Sequence, residues 1–104
     1  MRNKMTKTQI IEHLKAKKDE FRLRYGITTL GLYGSYARDE ANEASDVDVF
    51  YERDSGFELE SGLEFLRVAD ELAHELGVRK VDFVGLKYMN PIVKHYAKKD
   101  FIYV

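Results

Sequence analysis

The chain has 104 residues, enough for one compact domain, so a single domain over 1–104 is expected. With 44% hydrophobic, 12% aromatic and 34% charged residues it can build a modest core, which excludes a disordered tail. Its 17 basic and 18 acidic residues give a formal net charge of −1, a balance that argues against nucleic acid as the main partner, and the lack of cysteine excludes disulfides and zinc–thiolate sites. Any metal must therefore be held by oxygen or imidazole. The polar, basic start from Met1 to Lys7 reads as neither a signal peptide nor a membrane span, so a cytoplasmic setting is expected.

In chain order, Thr6 or Thr8 can cap a first helix over about 8–24, in which Ile10, Ile11, Leu14, Phe21 and Leu23 recur near helical spacing. Lys4, Lys7, Lys15, Lys17 and Lys18 make this region basic, which reads as the solvated face of an amphipathic helix. Gly26 ends it. A β-branched and aromatic run over 27–33 predicts a strand that stops at Gly34, and 46–51 predicts a second, with a short helical turn between them. Leu59, Leu63, Leu66, Ala69, Leu72, Ala73 and Leu76 recur at helical intervals and Gly77 follows, predicting the longest helix of the chain. The remainder predicts a buried strand over 78–85, a short helix opened by Pro91 and running to about 98, and an edge strand over 101–104. Helices alternating with strands give an α/β (α+β) layer fold, its sheet covered by the two long helices.

The stretch that carries chemistry runs from Gly34-Ser35-Tyr36-Ala37-Arg38 to Ser45-Asp46-Val47-Asp48-Val49. Side chains alternate along a strand, so Asp46 and Asp48 share one face while Val47 and Val49 enter the core from the other. Two carboxylates held this close repel, and a divalent cation between them relieves the repulsion. Oxygen ligands favour magnesium, with manganese as the alternative. Gly34 permits a tight turn, and the first N–H groups of the turn that follows, with the Ser35 hydroxyl, form a seat for phosphate. Metal ions beside a phosphate seat suit phosphoryl or nucleotidyl transfer.

Gly34-Ser35, ten intervening residues and Asp46-Val47-Asp48 resemble the signature of the polymerase-beta-type nucleotidyltransferases. The likeness is greatest to the single-domain minimal nucleotidyltransferases of bacteria and archaea, and it covers the chain from Ile27 to Val104. It implies a mixed sheet with flanking helices, ATP or another nucleoside triphosphate as substrate, and two Mg²⁺ ions held by Asp46, Asp48 and a third acid on a later strand. Asp82, in Lys80-Val81-Asp82-Phe83-Val84, stands where that third acid belongs. By the same resemblance Asp82 also acts as general base for an acceptor hydroxyl, and Ser35 holds the β- or γ-phosphate. Arg38 either pairs with the triphosphate or bridges to Asp39, Glu40 or Glu43. Asp39 departs from the family, in which glycine is frequent at this point, and adds negative charge near the phosphate path.

The resemblance further implies a small helical partner of the HEPN type, which such proteins accompany as antitoxins and in some cases adenylylate; a homo-oligomer is the other way to supply an acceptor surface. A contact-only binding module is the alternative from another class, and an aminoglycoside-type nucleotidyltransferase is a third reading. His13, His74 and His95 lack metal-ligand spacing. Tyr33, Tyr51 and Tyr103 are expected to pack in strands, and Tyr36 to edge the nucleotide pocket.

Overall fold

The computed structural model describes residues 5–104, so Lys4 of the basic N-terminal region lies outside the described residues. Thr6 starts α1 (Lys7–Tyr25) through a reciprocal capping box with Gln9, and Gly26, at φ 68°, ends it in the left-handed conformation that glycine adopts without strain. Ile10, Leu14, Phe21 and Tyr25 are the buried stripe of this helix. The chain then enters β1 (Ile27–Tyr33), reverses into β2 (Val47–Arg53), and crosses over through α2 (Gly62–Leu66) and α3 (Val68–Leu76) to β3 (Val81–Gly85). A 3₁₀ turn at Leu86–Tyr88, α4 (Pro91–Ala97), a second 3₁₀ turn at Lys98–Asp100 and a short β4 (Ile102–Tyr103) complete the fold.

The four strands form one mixed sheet in the order β3-β2-β1-β4, with β1 antiparallel to β2 and β4, and β2 parallel to β3. This is the mixed sheet with flanking helices that the family resemblance implies. Strand alternation divides its two faces. Leu30, Leu32, Val47, Val49 and Val81 point into the main core with Ile10, Leu14, Val68, Leu72 and Leu76 of the helices. Phe50, Leu86 and Met89 form a smaller cluster joined by Tyr33, Val84 and Phe101. Gly31 lets β1 pass close to that cluster: a Cβ there would lie 2.2 Å from the Phe50 ring and 2.5 Å from the Ile102 carbonyl oxygen.

Three expectations about elements change. The apolar recurrence over 59–76 is not one helix: the Ser61 hydroxyl accepts from the Glu64 N–H and starts α2 after Leu59, and Arg67, at φ −88° and ψ −7°, separates α2 from α3. Leu63 and Leu66 consequently leave the buried stripe and are 60% and 76% exposed. The longest helix is therefore α1, with 19 residues. Finally, β3 begins at Val81, because the Val78 N–H still donates to the Ala73 carbonyl and serves the end of α3. No helix among the described residues is long and apolar enough to cross a membrane.

Because the space a side chain would need at residue 31 is taken by a ring and a backbone oxygen, Gly31→Ala is expected to destabilise the protein by about 1–3 kcal/mol, read as a lower urea midpoint at unchanged slope.

Candidate active site

The site follows from strand direction. Since β2 and β3 run parallel, Asp48 and Asp82 occupy equal heights and are register partners. Since β1 runs against β2, its last residue, Tyr33, is the register partner of Asp48 on the other side. The row Tyr33, Asp48 and Asp82 thus crosses three strands on the face opposite the main core. Val47 and Val49 are fully buried on the core face, which fixes the direction of Asp48 between them. Asp46 immediately precedes β2, so the pair Asp46 and Asp48 opens the strand as the alternation requires.

Gly34 completes this arrangement. It has φ 79°, and a Cβ on it would stand 2.1 Å from Asp48 Oδ2. The residue must be glycine for two independent reasons, backbone conformation and the carboxylate resting against it. After it the chain turns helically, with the Arg38 N–H donating to the Gly34 carbonyl at 3.1 Å and the Glu40 N–H to the Ser35 carbonyl at 2.9 Å. Ser35 stands at the start of this turn.

The electrostatics record the crowding. The Asp48 carboxyl is pushed up to about 6, first by desolvation and then by the negative charge of Asp82, a hydrogen bond with Asp82 and the charge of Asp46. Tyr33 is pushed up to about 12 by burial and by the same two carboxylates, Asp48 and Asp82. Asp46 Oδ1 is 3.4 Å from Arg79 Nη2, and Asp82 Oδ1 is 3.4 Å from Lys80 Nζ. Among the described residues no three acidic or imidazole side chains form a closed metal cage, and the Asp46 carboxylate is paired with Arg79. Such an exposed pair is held weakly, by about 0–1 kcal/mol, so it offers little resistance to a competing cation. The donor set fits a divalent cation: all ligands are oxygens, two carboxylates are opposed in register, and among the described residues no buried cation offsets the surplus negative charge.

A cleft of about 670 Å³ opens beside this row. Tyr33, Gly34, Ser35, Arg38 and Asp48 line one wall, and Ile92, Val93, Tyr96 and Ala97 of α4 the other, with Lys99 and Asp100 at its end. Arg38 donates from Nε to Glu40 and from Nη1 to Asp100, each at 3.0 Å, so of the two expected roles it shows the bridge to Glu40 and adds a bridge to Asp100. Asp39 has φ 59°, the left-handed region in which glycine is unstrained, which gives a physical reason for glycine at this point of the family pattern. Its carboxylate is held by Lys7 at 2.9 Å and lies outside the cleft lining, so its charge is compensated away from Ser35.

Tyr36 corrects an expectation. It is buried in the main core and does not line the cleft, because the helical turn after Gly34 directs it inward. Tyr33 lines the cleft instead. The α4 wall was not singled out from the sequence; the available signal was Ile92, Val93 and Tyr96 at helical spacing after Pro91.

A nucleotidyltransferase domain is the class that this fold and this glycine–serine and aspartate arrangement define. The family model of that description, nucleotidyltransferase domain, matches residues 10–104, and the chain belongs to this family. It is 37% identical over 100 residues to "Putative protein adenylyltransferase MJ1379" of Methanocaldococcus jannaschii, covering 95% of this chain and 98% of that protein. It is 34% identical over 100 residues to the protein adenylyltransferase MntA of Thermococcus cleftensis, covering 96% and 97% of the two chains. A crystal structure of a toxin–antitoxin with AMP-PNP shares the fold at a TM-score of 0.60 and 20% identity, over 81% of this chain and 62% of that one.

The raised Asp48 carboxyl has a defined consequence for stability without metal. The folded protein holds the proton more tightly than the unfolded chain does, so the contribution is fully present below about pH 4 and is lost as pH rises through about 6. Asp48→Asn is expected to remove this slope and to stabilise the metal-free protein at pH 7 by about 1 kcal/mol, a figure discounted for partial exposure, as read from urea midpoints between pH 4 and 8.

Proposed function

We propose that this chain transfers AMP from ATP to a hydroxyl of a protein, with Asp46, Asp48 and Asp82 as metal ligands and Gly34, Ser35 and Arg38 as triphosphate ligands. The observation that carries the reading is the register row of Asp48 and Asp82 against Gly34. Relatives that share about a third of their residues with the chain over nearly its whole length are named protein adenylyltransferases, which supports a protein acceptor and the adenylyl group.

Mg²⁺ held by Asp46, Asp48 and Asp82 would neutralise charge on the triphosphate and on the departing pyrophosphate. The chain's own residues do the rest. Gly34 lets the triphosphate approach the backbone, and the Ser35 hydroxyl donates to a β- or γ-phosphate oxygen. Arg38 exchanges its exposed carboxylate partner Glu40 for a phosphate oxygen, a favourable trade because the guanidinium matches phosphate geometry. Asp82 flanks Asp48 outside the cleft lining, on the side left open to an acceptor, and takes the proton of the attacking hydroxyl. The acceptor oxygen forms a bond to the α-phosphorus, the bond from that phosphorus to the bridging oxygen breaks, and pyrophosphate leaves with the bonding electron pair.

The acceptor in this reading is a small helical partner of the HEPN type, in a toxin–antitoxin pair whose antitoxin is this chain. The toxin–antitoxin neighbour supports such an assembly, and the exposed Leu23, Leu63 and Leu66 provide apolar surface beyond the cleft. In a contact-only module the acids would be dispensable for neutralising the partner. Incubation with α-labelled ATP, Mg²⁺ and a helical protein from an adjacent reading frame is expected to label that protein, and Asp48→Asn, which keeps the fold, to reduce labelling at least about 100-fold. Unlabelled partner across several nucleotides, or inhibition of the partner that survives Asp48→Asn without labelling, would sink the transferase reading.

A further inference from the structure

Asp48 and the glycine–serine turn occupy only one wall of the cleft. On the other wall, Ile92, Val93 and Tyr96 are 70%, 53% and 67% exposed. Ile92 and Tyr96 are four residues apart and Val93 and Tyr96 three, so the three side chains form one continuous patch on α4. Isolated exposed apolar residues need no explanation, but a contiguous aromatic and aliphatic patch facing a charged wall across a shared cleft does.

We propose that this face of α4 seats the nucleobase of the bound nucleotide, with the Tyr96 ring as the stacking surface and Ile92 and Val93 beside it. The inference rests on the nucleotidyl-transfer reading and adds to it the part of the site that recognises the base. Three observations favour a base over other occupants. The patch is continuous with the proposed phosphate seat, since Tyr96 lines the same cleft as Gly34, Ser35 and Asp48. The volume of about 670 Å³ falls in the range that a ligand of nucleotide size occupies. The His95 ring stands edge-on to Tyr96, with centroids 5.3 Å apart and planes at 82°, which limits the swing of an otherwise exposed ring.

The chemistry of this wall also defines the ligand class. Every side chain that α4 gives to the cleft is uncharged and, apart from the tyrosine hydroxyl, apolar. Such a wall recognises the flat face of a base, whose area is greatest in purines, and does not read donors and acceptors on its edge. Purine nucleoside triphosphates are therefore the class, with adenine and guanine held equally by α4.

Titration calorimetry with ATP, GTP and inorganic tripolyphosphate, each with Mg²⁺, tests this on the full chain and on Tyr96→Ala and Tyr96→Phe, with circular dichroism confirming that both variants fold. Tyr96→Ala is expected to weaken ATP and GTP about tenfold each, the scale of one aromatic stack, while tripolyphosphate stays within about twofold and Tyr96→Phe binds like the parent. Unchanged ATP affinity in Tyr96→Ala, the outcome if α4 serves a protein partner instead, overturns the base seat alone and leaves the transfer reading intact. Equal loss of ATP and tripolyphosphate overturns it as well. Binding of none of the three ligands by the parent protein overturns both readings.

Discussion

Two carboxylates placed side by side on adjacent parallel strands are the constraint around which the rest of this molecule is arranged. Asp48 and Asp82 share a register position on strands whose alternate residues, Val47, Val49 and Val81, are buried in the core. Burying Asp48 beside a second carboxylate is a standing cost: desolvation first, and then the charge of Asp82, push the Asp48 carboxyl up. A small domain tolerates this cost because its stability comes from elsewhere: Val47, Val49 and Val81 on the same strands bury their side chains against α1 and α3. The sheet is thus divided by function, one face supplying cohesion and the other holding charge in a fixed place.

The division explains why the second face is only partly covered. Phe50 stacks on Phe101 with ring centroids 4.2 Å apart, and Tyr33 meets both rings, so an aromatic cluster seals the sheet immediately beside the acids. Beyond that seal α4 stands off from the sheet and a cleft remains. Asn90 fixes where α4 starts by accepting from the Ile92 and Val93 N–H groups, and Pro91 supplies the first helical residue at no hydrogen-bond cost. The polar wall of the cleft is set by strand register and its apolar wall by a helix cap, two local devices that meet across one opening.

Arg38 and Asp39 show how local chemistry is settled by distant residues. Arg38 reaches Asp100, which is 62 positions away in sequence, and Asp39 is neutralised by Lys7 at the start of α1. Neither pairing has a trace in the motif around Gly34. Tyr36 is a further case: adjacency to Ser35 suggested a place at the pocket, but the direction of a side chain in a helical turn depends on the angle at which the turn meets the sheet.

From the sequence alone, the alternation of Asp46, Val47, Asp48 and Val49 determined a strand with one apolar and one anionic face, and glycine at 26, 34 and 77 marked where elements end. These properties are local, since they depend on side-chain period and backbone freedom within a few residues. The break of the helical pattern at Arg67, the start of β3 at Val81, the pairing of Arg38 and the cleft between Asp48 and Tyr96 were decided only in three dimensions. Each depends on which surfaces meet after the chain has folded back on itself. A periodicity can state that a residue wants cover, but only the packed structure states which residues receive it.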